Sequence, residues 1–116
     1  MTITPDGVAY MVMDKSTLAE HEVSEGDTEG FVNMPLSIAQ VRMSILAKED
    51  NDKLRISIRS KKGTSANTCS KLHFHGGGHE NAAGGRLYIP EDVEDISKVG
   101  EYIEKVTYEF MKNENE

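Results

Sequence analysis

The sequence is poor in cysteine and has no long hydrophobic run. Cys69 is its one cysteine in 116 residues, which excludes an intrachain disulfide and fits a reducing compartment. No apolar stretch approaches the ~20 residues that a helix needs to cross a bilayer. Met1 is followed by polar residues rather than by a basic and then apolar signal region. We therefore expect a cytoplasmic protein with no membrane contact.

The sequence also lacks the clustered acids and histidines of metal-dependent hydrolases. It contains no Asp-His-His or His-Glu-x-x-His motif, although two-metal hydrolysis needs several inward-facing ligands. Cys69, His73, His75 and His79 do not follow the spacing of zinc ligands, and we expect Cys69 to be buried on a helix face. The chain is therefore expected to have no catalytic residues, metal site or cofactor of its own.

Charge is distributed unevenly along the chain. The net charge is −7, yet residues 53–90 contain seven basic residues and one acid, a balance of +6 that leaves −13 for the remainder. An acidic protein does not coat long polyanions with its whole surface. The basic segment fits capture of a small anion, and its alternative interpretation is an ordinary solvated face.

A glycine-rich stretch lies inside this basic segment. Gly76, Gly77 and Gly78 are followed by His79, and two alanines and two more glycines come shortly after. Successive bare N–H groups can form a concave nest that binds an anion, and the small residues indicate close packing of another backbone or a ligand. The alternative is a flexible turn.

Two side chains near this stretch are candidates for binding. Arg59 ends a predicted strand, and its guanidinium matches phosphate bidentately; alternatively, it is an exposed strand arginine. His79 could bind phosphate, stack on a base or transfer a proton; alternatively, its ring holds the loop in place.

Alternating and periodic patterns predict the regular elements. Strands are expected at 7–14, 41–48, 53–60 and 83–89, with the second half-buried. We expect the second and third to form a hairpin in which Lys48 lies opposite Lys53, Ser44 opposite Ser57 and Arg42 opposite Arg59.

Helices are expected at 15–21, 66–73 and 92–112. Ser16 is the predicted cap of the first, and Thr64 or Ser65 that of the second. Residues 23–35 are predicted to be an ordered, turn-rich connection that can include a helical turn, and residues 113–116 are expected to fray.

These elements predict a single α/β (α+β) domain over residues 1–116. We expect one mixed sheet of about four to five strands with helices packed on it.

Several motifs resemble one known family. Residues 76–84 read Gly-Gly-Gly-His-Glu-Asn-Ala-Ala-Gly, residues 26–33 read Gly-Asp-Thr-Glu-Gly-Phe-Val-Asn, Ser37-Ile38 follows, and residues 57–61 read Ser-Ile-Arg-Ser-Lys. In this order they resemble the C-terminal, DHH-associated domain of DHH-family phosphoesterases, the group of RecJ-like exonucleases. The branch most similar comprises bifunctional oligoribonucleases (nanoRNases) that also hydrolyse 3′-phosphoadenosine-5′-phosphate.

The resemblance implies a two-domain hydrolase in which an N-terminal DHH domain carries manganese and cleaves the bond. The C-terminal domain would bind short RNA or a nucleoside bisphosphate across a cleft. Gly76, Gly77, Gly78 and His79 would contact phosphate or base, and Arg59 would hold phosphate. Ser60 and Asn33 are further candidates.

The DHH domain is absent from this sequence, so we expect an excised domain that is inactive by itself. His75 also departs from the family pattern, which often has glycine or asparagine there. Two alternatives stay open: a general nucleic-acid-binding module, and part of an exopolyphosphatase-like or cyclic-dinucleotide phosphodiesterase.

Overall fold

A computed structural model describes residues 1–20 and 25–114, which form one mixed sheet with helices on both faces. The strands are β1 (Thr2–Ile3), β2 (Val8–Met13), β3 (Met43–Asp50), β4 (Lys53–Ser60), β5 (Gly77–His79) and β6 (Ala82–Tyr88). The helices are α1 (Lys15–Glu20), α2 (Glu25–Asn33), α3 (Ala66–His73) and α4 (Val99–Glu114). Short 3₁₀ turns cover Met34–Ser37 and Ile96–Lys98.

The six strands lie in the order β1-β2-β3-β4-β6-β5. β2 and β3 are parallel, and every other neighbouring pair is antiparallel. This confirms the predicted class of a single mixed α+β sheet. The strand count exceeds the expected four to five because the sequence pattern did not reveal the two short edge strands, β1 and β5.

The main hydrophobic core lies between one face of the sheet and helices α3 and α4. Ile45, Ile58 and Leu87 from the sheet pack there with Phe74 and Ile103. Burial of such apolar side chains is the main favourable contribution to folding. The core covers one face only, which leaves the other face for α2 and solvent.

Helix α2 packs on the opposite face, over β3 and β4. Ser44 and Leu46 of β3 point to that face, and each is only 1% exposed. The expectation of a half-buried β3 is therefore wrong for residues 43–47, which are covered on both faces. Beyond α2 the same face is open, and we call this uncovered area the open face.

The β3–β4 hairpin is confirmed, but its predicted register is wrong by two residues. Asp50 pairs with Lys53, Lys48 with Arg55 and Ser44 with Arg59. The turn contains only Asn51 and Asp52, and Asn51 takes the left-handed conformation (φ 61°) that tight hairpin turns require. A shift of two residues keeps every side chain on its predicted face.

Helix α3 matches its predicted bounds. Ser65 is its N-cap, with its hydroxyl accepting a hydrogen bond of 3.0 Å from the Thr68 N–H. In α1, by contrast, the predicted cap Ser16 is wrong, since the Asp14 carboxylate accepts from the Thr17 N–H at 2.7 Å.

Two further helix predictions need correction. Residues 25–33 form the helix α2, which is longer than the single helical turn expected within a turn-rich connection; His21 and Val23 lie outside the described residues. Helix α4 begins at Val99 and not at Asp92, because the Asp92 carboxylate accepts from the Tyr88 N–H at 2.8 Å and closes a turn there. The described part of α4 continues to Glu114, beyond the start of the segment expected to fray.

Across the described ranges 1–20 and 25–114, no helix combines the length and hydrophobicity needed to cross a membrane.

Candidate ligand-binding site

The glycine-rich stretch is a strand and not an anion nest. Gly77–His79 form β5 and pair with β6 at the sheet edge. The N–H of Gly76 donates to the Ser70 carbonyl at 3.2 Å, and the N–H of Gly78 donates to Asn67 Oδ1 at 3.0 Å. Because these donors are used within the fold, the predicted nest is wrong for this conformation.

The glycines permit close approach between backbones. A Cβ on Gly76 would lie 1.9 Å from the Gly84 carbonyl oxygen, and one on Gly78 would lie 2.8 Å from the Ala82 carbonyl oxygen. A Cβ on Gly85 would lie 2.3 Å from the Phe74 carbonyl oxygen. The small residues were expected to allow close approach of either another backbone or a ligand. At Gly76, Gly78 and Gly85 the structure supports close approach of another backbone.

Gly84 differs from Gly76, Gly78 and Gly85 because the space above it is open. A Cβ there would meet only the Ile56 carbonyl oxygen, at 3.4 Å. Gly84 pairs with Ser57 of β4, so this part of the open face has only a hydroxyl and bare backbone.

Arg59 lies at the end of β4, beneath α2. Its Nε and Nη2 donate to the two carboxylate oxygens of Glu29 at 3.2 and 2.7 Å, the bidentate geometry that a phosphate would also accept. Its Nη1 donates to the Ile58 carbonyl at 2.9 Å. The Arg59 side chain is 18% exposed, whereas that of Glu29 is 57% exposed.

The Arg59 guanidinium lowers the pKa of Glu29 by hydrogen bonding, and the Asn33 amide adds to this effect. The carboxylate of Glu29 therefore occupies the bidentate position at the Arg59 guanidinium. Because Glu29 is so exposed, solvent screens the ion pair and keeps its contribution to stability small.

The sheet register connects Arg59 with His79. Arg59 pairs with Ala82 on β6, and Ala82 pairs with His79 on β5. Strands lie 4.7–4.9 Å apart, so the Cα atoms of Arg59 and His79 are about 10 Å apart in one row. His79 is exposed. The structure therefore brings these two predicted residues into one row of the ladder, with Arg59 beneath α2 and His79 on the exposed edge strand.

The other two candidates have internal roles. Ser60 points away from Arg59 by strand alternation, and its hydroxyl donates to the Thr64 carbonyl at 2.6 Å and accepts from the Asn81 amide at 3.1 Å. The Asn33 amide donates to Glu29 Oε1 at 3.0 Å. Asn33 therefore reaches Arg59 only through Glu29, and Ser60 is not brought to the open face.

His75 and Cys69 lie apart from this row. The His75 Nε2 is 2.9 Å from Asp92 Oδ1. Burial acts to raise the pKa of Asp92, but hydrogen bonds from Tyr88 and His75 outweigh it and lower that pKa. Cys69 is fully buried in the core, as expected.

No three histidine, cysteine or acidic side chains come together as possible metal ligands in the part of the chain that the structure describes.

The sequence prediction missed three basic residues on the open face. Lys48, Arg55 and Arg86 line a cavity of about 570 Å³ together with Ser57 and Gly84. Period-two alternation along β4 places Arg55 on the same face as Arg59, so this pattern could have identified Arg55.

Comparison with known protein families gives a match for this chain. The family described as the DHHA1 domain matches residues 6–105. A search of curated protein sequences found no match.

Solved structures share the fold. An exopolyphosphatase-related protein from Bacteroides fragilis superposes with a TM-score of 0.84 at 30% identity, over 99% of this chain and 33% of that protein. The C-Ala domain of alanyl-tRNA synthetase from Aquifex aeolicus superposes with a TM-score of 0.59 at 16% identity. The match covers 91% of this chain and 95% of that domain. An uncharacterized protein from Helicobacter pylori G27 superposes with a TM-score of 0.56 at 23% identity. The match covers 84% of this chain and 25% of that protein. The chain thus spans about a third of the Bacteroides protein.

Proposed function

The chain belongs to the DHHA1 domain family, and we propose that it is the substrate-binding domain of a phosphoesterase that acts on short oligoribonucleotides or 3′-phosphoadenosine-5′-phosphate. In this proposal the Arg59 guanidinium holds a phosphate of the substrate, and His79 contacts the base or a phosphate. The substrate lies on the open face, above the glycine-lined β5–β6 edge.

The single observation that carries the proposal is the Arg59 side chain and its partner. The guanidinium already holds a carboxylate bidentately, in a row that ends at the exposed His79. Phosphate offers the same acceptor geometry with more negative charge. A nucleotide phosphate that displaced Glu29 would keep the hydrogen bonds of Arg59 and place its base toward β5.

The role of the glycines in the proposal changes accordingly. Gly76, Gly77 and Gly78 allow β5 to lie close to β6 and α3 and so position His79 at the sheet edge. They bring substrate close to the backbone of β5 without forming a cradle of N–H groups.

Bond cleavage is assigned to another domain. Because DHHA1 domains partner an N-terminal DHH domain in DHH-family proteins, we propose that the manganese and the hydrolytic step belong to such a domain of the same protein. We propose that this chain alone does not hydrolyse the substrate and that the whole protein is cytoplasmic.

The proposal is tested by calorimetric titration of the chain with adenosine 5′-monophosphate. A hydrogen bond to a charged group contributes about 1.5–3 kcal/mol, so we expect Arg59→Gln to weaken binding about 10- to 100-fold. His79→Ala should weaken it by a smaller factor. Adenosine, which lacks the phosphate, should bind both wild type and Arg59→Gln equally weakly.

The matched control is Lys105→Gln, which removes one positive charge from an exposed position of α4. Circular dichroism checks that each variant is folded. Equal affinity of wild type and Arg59→Gln for the nucleotide would remove Arg59 from the site.

A second candidate ligand is polyphosphate. The Bacteroides protein that is 30% identical to this chain is described as exopolyphosphatase-related, and an open basic face suits a chain of phosphates. Titration of the chain with tripolyphosphate and, separately, with adenosine 5′-monophosphate distinguishes the two candidate ligands. Tighter binding of tripolyphosphate, with an affinity that His79→Ala does not change, would favour the polyphosphate function.

A further inference from the structure

Three cations lie side by side on the open face, away from Arg59. Lys48 on β3 pairs with Arg55 on β4, and Arg55 pairs with Arg86 on β6. Cross-strand partners share a face and have Cβ atoms about 4.5–5.5 Å apart. Three positively charged side chains therefore project from one row across three neighbouring strands, which we call the basic row.

The basic row concentrates cations around one cavity. Of the residues that line the cavity above the row, four are cations, namely Lys48, Lys53, Arg55 and Arg86, and one is an acid, Asp50. An excess of cations around an open cavity of about 570 Å³ favours binding of an anion.

The donors of the row can serve an anion while they keep their contacts within the fold. Arg86 Nη1 donates to the His75 carbonyl at 3.2 Å, which uses one of the five N–H donors of a guanidinium. This contact also fixes the direction of the Arg86 side chain and so lowers the entropy lost when a ligand binds.

Small residues separate the basic row from Arg59. Ser57 and Gly84 occupy the row of the ladder between them, and the space above Gly84 is open. Arg55 and Arg59 are four residues apart on β4, so their Cα atoms are about 13 Å apart. One phosphate group is too small to serve both positions, but a chain of linked phosphates could.

We propose that Lys48, Arg55 and Arg86 form a second phosphate-binding site, which takes a backbone phosphate of an oligoribonucleotide whose terminal nucleotide lies at Arg59. This inference rests on the proposed function and adds to it a preference for substrates longer than one nucleotide. The RNA would run along β4, over Ser57 and Gly84.

The test maps backbone amide shifts in ¹⁵N-labelled protein titrated with adenosine 5′-monophosphate and, separately, with a pentariboadenylate. We expect the mononucleotide to shift amides around Arg59 and His79 only. The pentanucleotide should shift these and, in addition, the amides of Lys48, Arg55 and Arg86.

Affinities of a double variant add a quantitative measurement. Arg55→Gln combined with Arg86→Gln should weaken pentanucleotide binding about tenfold at 0.1 M salt and leave mononucleotide binding unchanged. Loss of one phosphate contact should also lower the slope of log affinity against log salt by about 0.7. The control double variant, Lys105→Gln with Lys98→Gln, removes two exposed cations of the α4 region.

Each outcome separates the two proposals. Pentanucleotide shifts confined to the Arg59 end, with full affinity in the double variant, would overturn the second site and leave the proposed function standing. Pentanucleotide shifts confined to the basic row would support an anion site there and contradict the role of Arg59. The absence of shifts with both ligands would overturn both proposals.

Discussion

At the residue scale, the central feature is the pairing of Arg59 with Glu29. The motif around Arg59 identified a phosphate-binding candidate, but nothing in the sequence indicated its partner. Glu29 is thirty residues away along the chain, and the contact depends on where α2 packs on the sheet. Pairwise contacts of this kind are set by tertiary packing and are not encoded in local patterns.

The pairing makes Glu29 a competitor of the ligand. We expect Glu29→Gln to raise the affinity for adenosine 5′-monophosphate, because the phosphate no longer displaces a carboxylate. Exposed ion pairs contribute about 0.2–1 kcal/mol, so the gain should be at most about fivefold. Calorimetric titration of the variant beside wild type measures it.

The control for this prediction is Glu101→Gln, which removes the same charge from an exposed position on α4. If both variants gain affinity equally, the effect comes from net charge alone. A loss of affinity in Glu29→Gln would mean that Glu29 helps to position the ligand.

At the scale of elements, the clearest predictions were those with a local cause. The cap and helical spacing of α3 lie within residues 65–73, and the alternation of β4 lies within residues 53–60. Both elements have the bounds that were predicted. The predicted α4 began too early because Val93 is apolar and fits the helical spacing. In the structure Val93 is buried, but it follows the turn that Asp92 closes and precedes the helix.

The glycine run shows why local propensity failed at β5. Glycine is unfavourable in strands on entropic grounds, and so the run predicted a bend. Here the absence of Cβ atoms is what allows β5 to approach β6 and α3 so closely. That requirement comes from neighbours that the sequence pattern does not place.

This explanation predicts a large effect of Gly76→Ala on stability. The new Cβ would lie 1.9 Å from the Gly84 carbonyl oxygen and 2.6 Å from the Gly85 Cα. Overpacking against backbone costs typically 1–3 kcal/mol or more. A loss of about 1 kcal/mol lowers the melting temperature by about 4–8 °C in domains of about 60–100 residues and by about 2–4 °C in domains of about 150–250 residues, so a drop of at least about 3 °C is expected for this chain in a thermal melt.

Gly30→Ala is the matched control. Gly30 lies in α2, and nothing stands within 4 Å of a Cβ built there. Alanine is favoured over glycine in helices by up to about 1 kcal/mol, so this variant should melt at the same temperature or higher. Equal melting of the two variants would show that β5 yields easily and that its glycines have no packing role.

At the scale of the whole molecule, uneven coverage of the sheet creates the site. One face is buried beneath α3 and α4, while α2 covers only part of the other. The basic segment of the sequence supplies β4 and β6, so its cations gather on the uncovered part. A protein of net charge −7 thereby presents a compact positive surface.

The faces of this site were more predictable than its contacts. Alternation assigned Arg59 to the solvent side even though the hairpin register was wrong by two residues, since a shift of two preserves the face. The pairing of Lys48, Arg55 and Arg86 required the true register and the position of β6. Neither follows from the alternation of a single strand.

The size of the site limits the length of RNA that it can use. Arg59 and the basic row lie about 13 Å apart on β4, a span of only a few nucleotides. We expect affinity to rise from two to five nucleotides and then to level off, so that a twenty-nucleotide RNA binds only a few-fold better. A general nucleic-acid-binding module would instead gain strongly with length and depend steeply on salt.

The most direct measurement is a crystal structure of the chain with adenosine 5′-monophosphate. We expect the nucleotide phosphate at about 2.7–2.9 Å from the Arg59 guanidinium nitrogens, with Glu29 released and the base directed toward His79. A nucleotide bound on the α3–α4 side of the sheet, with Arg59 still paired to Glu29, would contradict the proposed site.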